Sequence, residues 1–121
     1  MNIHPLEQAF SVCKVADFSQ VNLESAFCFV GKTDEECSLV CPIAEVPANT
    51  THREDGCRAF RIGGMLDFSL IGILARICGI LAERKIGVFA VSTFNTDYIL
   101  VKADRFCEAL SALSDAGYSI V

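Results

Sequence analysis

Polar side chains that could bind a ligand lie in a short turn between two apolar segments, residues 86–91 and 98–101. Both segments are rich in β-branched and aromatic residues, which is typical of strands in a hairpin. Asp97 is unusual, because a carboxylate at the start of an apolar strand must be offset by hydrogen bonds or by a cation. Two interpretations stay open, a ligand-binding carboxylate or a turn cap. The candidate binding residues of this turn are Thr93, Phe94, Asn95, Thr96 and Asp97.

The elements that position this turn are clearest from residue 57 onward. Apolar spacing predicts a strand at 57–62 and a helix over about 67–84, before the hairpin. A second helix over about 104–116, with Asp104 as its cap and Gly117 as its stop, leads to a closing strand. The order β-α-β-β-α-β predicts an α+β, ferredoxin-like fold, in which two helices cover one face of an antiparallel sheet.

The N-terminal half carries weaker signals. Its predicted strands are followed by helical patterns that are short and weakly periodic, so we interpret it as a degenerate copy of the same unit. A polar stretch at 47–55 is predicted to be a linker. We therefore expect two tandem units, residues 1–54 with the linker and residues 55–121. The strands predicted in the first unit are 10–15, 26–32 and 38–41, and its helical signals are 18–25 and 43–46.

Composition limits the classes of function. The 121 residues are 52% hydrophobic with a net charge of −5, which excludes a disordered chain and disfavours nucleic acid and anionic membranes as partners. The N-terminus lacks the pattern of a secretory signal, and no apolar stretch is long enough to span a bilayer. Seven cysteines without a regular framework spacing are typical of a reducing compartment, so we expect a cytoplasmic protein.

Catalytic and metal-binding functions find little support. The two histidines, His4 and His52, are not embedded in a motif, and neither a nucleophile elbow nor a phosphate-binding loop is present. A zinc site would have to use Cys37, Cys41 and Cys57 beside His52, but its spacing is not that of a zinc motif. We expect no catalytic residue, no cofactor and no metal.

Two segments carry a family resemblance. Residues 64–75 and 86–101 read GMLDFSLIGILA and IGVFAVSTFNTDYILV, and with residues 38–42 (SLVCP) and 58–61 (RAFR) they resemble a family of small stand-alone tandem ACT-domain proteins. This family is similar to the ACT pairs of the cytosolic arginine sensor of animals and of aspartate kinase regulatory domains. In this family we would expect an aromatic residue, usually Trp, in place of Cys57 and Pro in place of Met65. The chain departs from the family pattern at both positions.

The resemblance implies an amino-acid site where the loop and helix start after the first strand of one unit meet a neighbouring unit. Backbone N–H groups around residues 69–71 would bind the α-carboxylate, and Asp97 or else Asp67 would bind the α-ammonium. Asp67 could also only cap the helix. Each charge-assisted bond is worth about 1.5–3 kcal/mol. The candidate residues at the helix start are Asp67, Phe68, Ser69, Leu70, Ile71 and Gly72.

The expected function is therefore that of a regulatory sensor without catalytic activity, which binds a small-molecule effector, an amino acid. The high apolar fraction predicts a homodimer, and an unidentified regulated protein would be the downstream partner. One alternative stays open, namely an ACT-type dimerisation or protein-interaction module that binds no ligand.

Overall fold

The computed structural model describes residues 1–63 and 71–121, which divide into two compact units. We call Met1–Glu7 together with Arg58–Val121 the C-terminal unit, and Gln8–Cys57 the N-terminal unit. Two strands, β1 and β4, contribute residues to both units. The described elements are β1 (Asn2–Val15), β2 (Phe29–Lys32), β3 (Cys37–Pro42), β4 (Thr50–Ile62), α1 (Ile73–Glu83), β5 (Phe89–Ser92), β6 (Asp97–Lys102), α2 (Phe106–Asp115) and β7 (Ser119–Ile120).

In the C-terminal unit the elements follow the chain as β4-α1-β5-β6-α2-β7, which confirms the predicted order from residue 57 and the α+β class. The strands lie side by side in the order β7-β1-β4-β6-β5. The start of β1 is therefore inserted beside β7, with Asn2 and Ile3 paired in parallel to Ser119 and Ile120. Sequence patterns did not predict this fifth strand, because the pairing joins the two ends of the chain.

One hydrophobic core holds this unit together. Ile77 and Leu81 of α1 are completely buried, four residues apart on one helix face. On β4, Phe60 and Ile62 are two residues apart, so both side chains lie on the same face of the strand and pack into this core. The other buried members are Ile3, Ile86, Ile99, Val101, Phe106, Ala109, Ala112, Leu113 and Tyr118.

The helix boundaries differ in part from those predicted. Helix α1 begins at Ile73, after Gly72, whose φ of +81° is left-handed. The helix predicted from residue 67 is therefore wrong at residues 71 and 72, which precede α1. The cap candidates Asp67 and Ser69 lie outside the described residues. Helix α2 begins at Phe106, because residues 103–105 form a 3-10 turn that contains Asp104, so Asp104 does not cap α2.

The end of α2 is as predicted. Gly117 has a φ of +101°, and the N–H of Tyr118 donates to the carbonyl of Leu113 at 3.0 Å. Such a left-handed residue lets the chain fold back and satisfy the last carbonyls of a helix, which favours glycine. The closing strand β7 then follows immediately.

The N-terminal unit contains strands and turns but no α-helix among its residues. Its strands lie in the order β2-β3-β1-β4, and β3 is antiparallel to both β1 and β2. The helical signal at 18–25 is wrong, since that segment is irregular, and the signal at 43–46 corresponds to one 3-10 turn, Ile43–Glu45. The linker predicted at 47–55 is also wrong from Thr50 onward, where β4 begins.

The N-terminal unit has its own small core, in which Cys13, Leu39 and Cys41 are buried. Burial, followed by the neighbouring thiols of Cys13 and Cys28, raises the pKa of the Cys41 thiol to about 12. No disulfide is found in the described part of the chain. Neither α1 nor α2 is both long and apolar enough to cross a bilayer.

Two glycine substitutions should have opposite effects on stability. Gly117→Ala forces a side chain into a left-handed conformation, so we expect it to lower the free energy of unfolding by about 1 kcal/mol or more. Gly79→Ala serves as the matched control, because Gly79 lies within α1 with open space around it, and should raise that free energy by roughly 0.5–1 kcal/mol. Urea denaturation measures both. Equal effects of the two changes would contradict the backbone assignment.

Cysteine alkylation should discriminate sharply between the buried and exposed thiols. At pH 8 a thiol with a pKa of about 12 is almost fully protonated, so Cys41 should react with iodoacetamide roughly a thousandfold more slowly than the exposed Cys107. The folded chain holds the Cys41 proton more tightly than the unfolded chain. Its contribution to stability is therefore present below about pH 8.5 and is lost as the pH rises toward 12. Mass spectrometry of the labelled peptides measures the two rates, and equal rates would be inconsistent with a buried Cys41.

Candidate functional site

The start of α1 and the end of α2 line a cavity of about 270 Å³ in the C-terminal unit, which we call the helix-end cavity. Both helices have their buried faces in the same core, which brings these two helix ends together. The described residues that line the cavity are Met1, Ile71, Gly72, Ile73, Arg76, Ala116, Gly117 and Tyr118.

The α1 side of the helix-end cavity is electropositive. The N–H of Arg76 donates to the carbonyl of Gly72 at 2.9 Å and is the first hydrogen bond of the helix. The N–H groups of residues 73–75 therefore have no acceptor within α1, and they carry the positive end of its dipole. A Cβ atom added to Gly72 would meet no atom within 4 Å, so the backbone here is open to a ligand.

Arg76 adds a full positive charge to the cavity, and its side chain reaches from α1 to the end of α2. Its guanidinium lies 5.4 Å from the ring centroid of Tyr118, a cation–π contact that restrains the side chain. Its Nη2 atom also donates to the carbonyl oxygen of Ala116 at 3.4 Å, a long and weak hydrogen bond. An anion in the cavity could therefore take donors from Arg76 with little loss elsewhere.

The α2 side of the cavity has the opposite polarity. Ala116 and Gly117 follow the last turn of α2, where backbone carbonyls carry the negative end of the helix dipole. Ile71 and Ile73 supply apolar surface beside them. The helix-end cavity thus offers donors for an anion, an acceptor for a cation and an apolar wall, which is the pattern that a zwitterion with a side chain requires.

The predicted hairpin turn satisfies its own hydrogen bonds. The N–H and the hydroxyl of Thr93 both donate to the carbonyl of Thr96, at 2.9 and 3.0 Å. The carboxylate of Asp97 accepts a hydrogen bond of 2.6 Å from the hydroxyl of Ser92, its partner across the hairpin. Burial, and then the negative charge of Asp97, raises the pKa of the Cys78 thiol on α1.

The structure brings the predicted residues together only in part. Ile71 and Gly72 line the helix-end cavity, whereas Asn95 and Thr96 line a second cavity, of about 310 Å³. Thr93, Phe94 and Asp97 are lining residues of neither. The first-turn N–H groups of α1 belong to residues 73–75, because α1 begins at Ile73, and Ile71 therefore precedes the helix. The predicted residues Asp67, Phe68, Ser69 and Leu70 lie outside the described part of the chain.

Sequence reasoning missed Arg76, Ala116 and Tyr118. Arg76 had a usable signal, since it is the one charged residue in the apolar run from 70 to 82. Ala116 and Tyr118 had none, because their role depends on where α2 ends. Among the described residues, no group of three or more His, Cys, Asp or Glu side chains could hold a metal ion.

Comparison with known proteins adds a family to this geometry. A sequence profile described as the ACT domain matches residues 52–115, more than half of the chain. The search of curated proteins finds no match. Among solved structures, a protein from Agrobacterium tumefaciens is 26% identical with a TM-score of 0.87, over 99% of this chain and 91% of its own.

Two aspartate kinase structures share the fold at lower identity. The enzyme from Clostridium acetobutylicum, described as allosteric, is 14% identical with a TM-score of 0.69, over 94% of this chain and 33% of the kinase. The aspartokinase alpha and beta subunits are 16% identical with a TM-score of 0.68, over 96% of this chain and 97% of that chain. At these identities the likeness concerns the fold alone.

Proposed function

This chain belongs to the ACT domain family, and on that premise we propose that it is a regulatory protein that binds a free amino acid in the helix-end cavity. The observation that carries the proposal is the opposed polarity of the two helix ends at that cavity, the start of α1 and the end of α2, with the guanidinium of Arg76 between them. Its described lining contains no histidine, cysteine or carboxylate, so it supports binding and regulation better than acid–base or nucleophilic catalysis.

The amino acid would lie across the cavity. Its α-carboxylate would accept hydrogen bonds from the N–H groups of residues 73–75 and from the guanidinium of Arg76. Its α-ammonium would donate to the carbonyl oxygen of Ala116, and its side chain would pack on Ile71 and Ile73. The segment from Asp67 to Leu70 immediately precedes this wall of the cavity in sequence, so its residues stay part of the proposed site.

We also propose that the N-terminal unit is a degenerate second ACT copy. The boundary between the two sequence repeats would lie between residues 54 and 55. Its strand order, β2-β3-β1-β4, is the order of a ferredoxin-like sheet, and turns stand where the two helices would be. This order supports a tandem origin. The loss of both helices would leave the N-terminal unit without a helix-end cavity of its own.

Regulation would arise through linkage. An effector that binds one conformation of the chain more tightly shifts the population toward it, and this difference in affinity is the only free energy available for signalling. We propose that the shift is transmitted to a separate, cytoplasmic protein partner. The coupling expected from such a device is about 1–3 kcal/mol.

A thermal-shift screen of the twenty amino acids tests the binding proposal. A ligand at one hundred times its Kd stabilises the folded chain by about 2.7 kcal/mol, so one or a few amino acids should raise the Tm clearly. Arg76→Gln should weaken binding roughly tenfold to a hundredfold, because it removes charge-assisted hydrogen bonds. Arg84→Gln is the matched control, an arginine just after the same helix that pairs with Asp115 at the surface, and should bind normally.

Asp97→Ala in the same screen decides the role of that carboxylate. Loss of binding with little change in the unliganded Tm would assign Asp97 to the effector, as the sequence predicts. Unchanged binding with a lower Tm would assign it to the hairpin, where it accepts the hydrogen bond of Ser92. No response to any of the twenty amino acids would refute the sensor proposal and favour the interaction module.

A second candidate function, dimerisation or protein interaction without a ligand, is favoured by the edge of the C-terminal sheet. Strand β5 is the terminal strand of that sheet, and the exposed Val88 and Phe89 lie beside or within it. Exposed edge strands are templates for pairing with another chain. We propose that β5 is a homodimer contact, which is compatible with either function.

Light scattering after size-exclusion chromatography tests the dimer. The 13.1 kDa chain should elute with twice its mass, 26.2 kDa, at micromolar concentrations. Phe89→Lys should shift the mass toward the monomer, because it places a charge in an apolar contact. The control Leu23→Lys changes an exposed leucine of the N-terminal unit and should leave the dimer intact. A monomeric mass of the wild type at every concentration would exclude the proposed homodimer.

A further inference from the structure

We propose that the second cavity of the C-terminal unit is a separate site for small oxyanions, molecules that carry a carboxylate or a phosphate group. This cavity, which we call the sheet cavity, has a volume of about 310 Å³ and shares no lining residue with the helix-end cavity. It is lined by His4, Arg61, Ile62, Asn95, Thr96 and Tyr98.

Arg61 is the main charge of the sheet cavity. The side chain is half-buried on β4, and its Nη1 atom donates to the hydroxyl of Tyr98 at 3.3 Å. Within the described part of the chain, no carboxylate forms an ion pair with Arg61. A partly desolvated guanidinium without a counterion is costly, and its remaining N–H donors match the two oxygens of a carboxylate or phosphate.

His4 is held at the same cavity by close packing against Gly63. A Cβ atom added to Gly63 would lie 2.6 Å from Nε2 of His4 and 2.8 Å from its Cδ2, so only glycine allows the ring to lie there. The N–H of Gly63 donates to the carbonyl of Asn2 at 2.7 Å, which aligns β1 with β4 at this point. The imidazole ring of His4 therefore lies against Gly63 in the lining of the sheet cavity.

The neutral residues complete the wall and make it stiff. The hydroxyl of Thr96 donates to the carbonyl of Ile62 at 2.9 Å in a buried hydrogen bond, which ties the hairpin turn to the end of β4. Asn95 adds an amide, and Tyr98 adds a hydroxyl that already accepts from Arg61. A preorganised polar wall of this kind lowers the cost of ordering side chains on binding.

The charge of the cavity selects the class of ligand. None of its described lining residues is acidic, although the whole chain carries a net charge of −5. The cavity is thus a local cationic pocket on an acidic protein, which attracts anions and repels metal cations. Ile62 is the single aliphatic residue among the described lining residues, so apolar ligands gain little from them.

Titration of the ¹⁵N-labelled full-length chain tests the site. Inorganic phosphate and succinate are the two probes, with sodium chloride at matched ionic strength as the salt control. We expect saturable shifts of the backbone amides of Arg61, Asn95 and Thr96, and none of this pattern with chloride. A response to phosphate alone would identify a phosphorylated ligand, and a response to succinate alone would identify a carboxylate ligand.

Arg61→Gln should weaken the binding roughly tenfold or more, because it removes the charged donors. The matched control is Arg53→Gln, since Arg53 is an exposed arginine of β4 whose guanidinium pairs with Asp55, and it should bind like the wild type. Arg76→Gln should leave the shifts of residues 61, 95 and 96 unchanged, because Arg76 lines the helix-end cavity and not the sheet cavity.

Three results would overturn the oxyanion site: equal shifts with chloride, shifts that spare residues 61, 95 and 96, or equal weakening by Arg53→Gln. If Arg61→Gln does not fold, the shifts of the wild type and the affinity of Tyr98→Phe decide whether the oxyanion site exists. Tyr98→Phe removes the hydroxyl that holds Arg61, so unchanged affinity in that variant, with wild-type shifts away from the sheet cavity, would equally reject the site. If the chain binds no amino acid through Arg76, the result for the sheet cavity is unaffected.

Discussion

The C-terminal unit depends on the burial of one apolar stripe from each helix against β4 and β6. Ile77, Leu81 and Leu113 are completely removed from water, together with Ile62 and Ile99. Each such side chain contributes about 1.5–3 kcal/mol, which makes this packing the main determinant of where the helices lie. Because α1 and α2 share one core, the start of one and the end of the other line a common cavity. The described part of the candidate site is therefore a consequence of core packing.

Two kinds of electrostatics follow from that packing. The helix-end cavity uses backbone dipoles of opposite sign, and Arg76 adds a positive charge between them. The sheet cavity instead uses the formal charge of Arg61 with a histidine and neutral side chains, and none of its described lining residues is acidic. A zwitterion suits the first arrangement and a simple oxyanion suits the second. The two proposed sites would take different ligands in the same small unit, which would allow one ligand to modulate the binding of the other.

The sequence predicted much of the fold because the relevant signals are local. The apolar residues Leu74, Cys78 and Leu81 at helical spacing identified α1, and Gly117 marked the end of α2, since both features act within one or two helical turns. The errors occurred where the partner is distant. Polar residues of the first part of β4 look like a linker, because strand residues with exposed side chains carry no apolar alternation. The start of β1 was not predicted as a strand, because its hydrogen-bond partner β7 lies at the other end of the chain.

By itself the sequence determined the α+β class, the order of elements from residue 57 and the likeness to the ACT domain family, because short-range periodicity and turn residues encode them. It also marked Ile71 and Gly72 as binding candidates, and both line the helix-end cavity. Only the tertiary structure decided which helix turn presents its N–H groups and that Arg76 and Ala116 face the same space. It also decided that Arg61 and His4, which lie on neighbouring strands, line the same cavity. The reason is physical: a cavity is defined by side chains and helix ends that are distant in sequence, and their proximity is a property of the packed core.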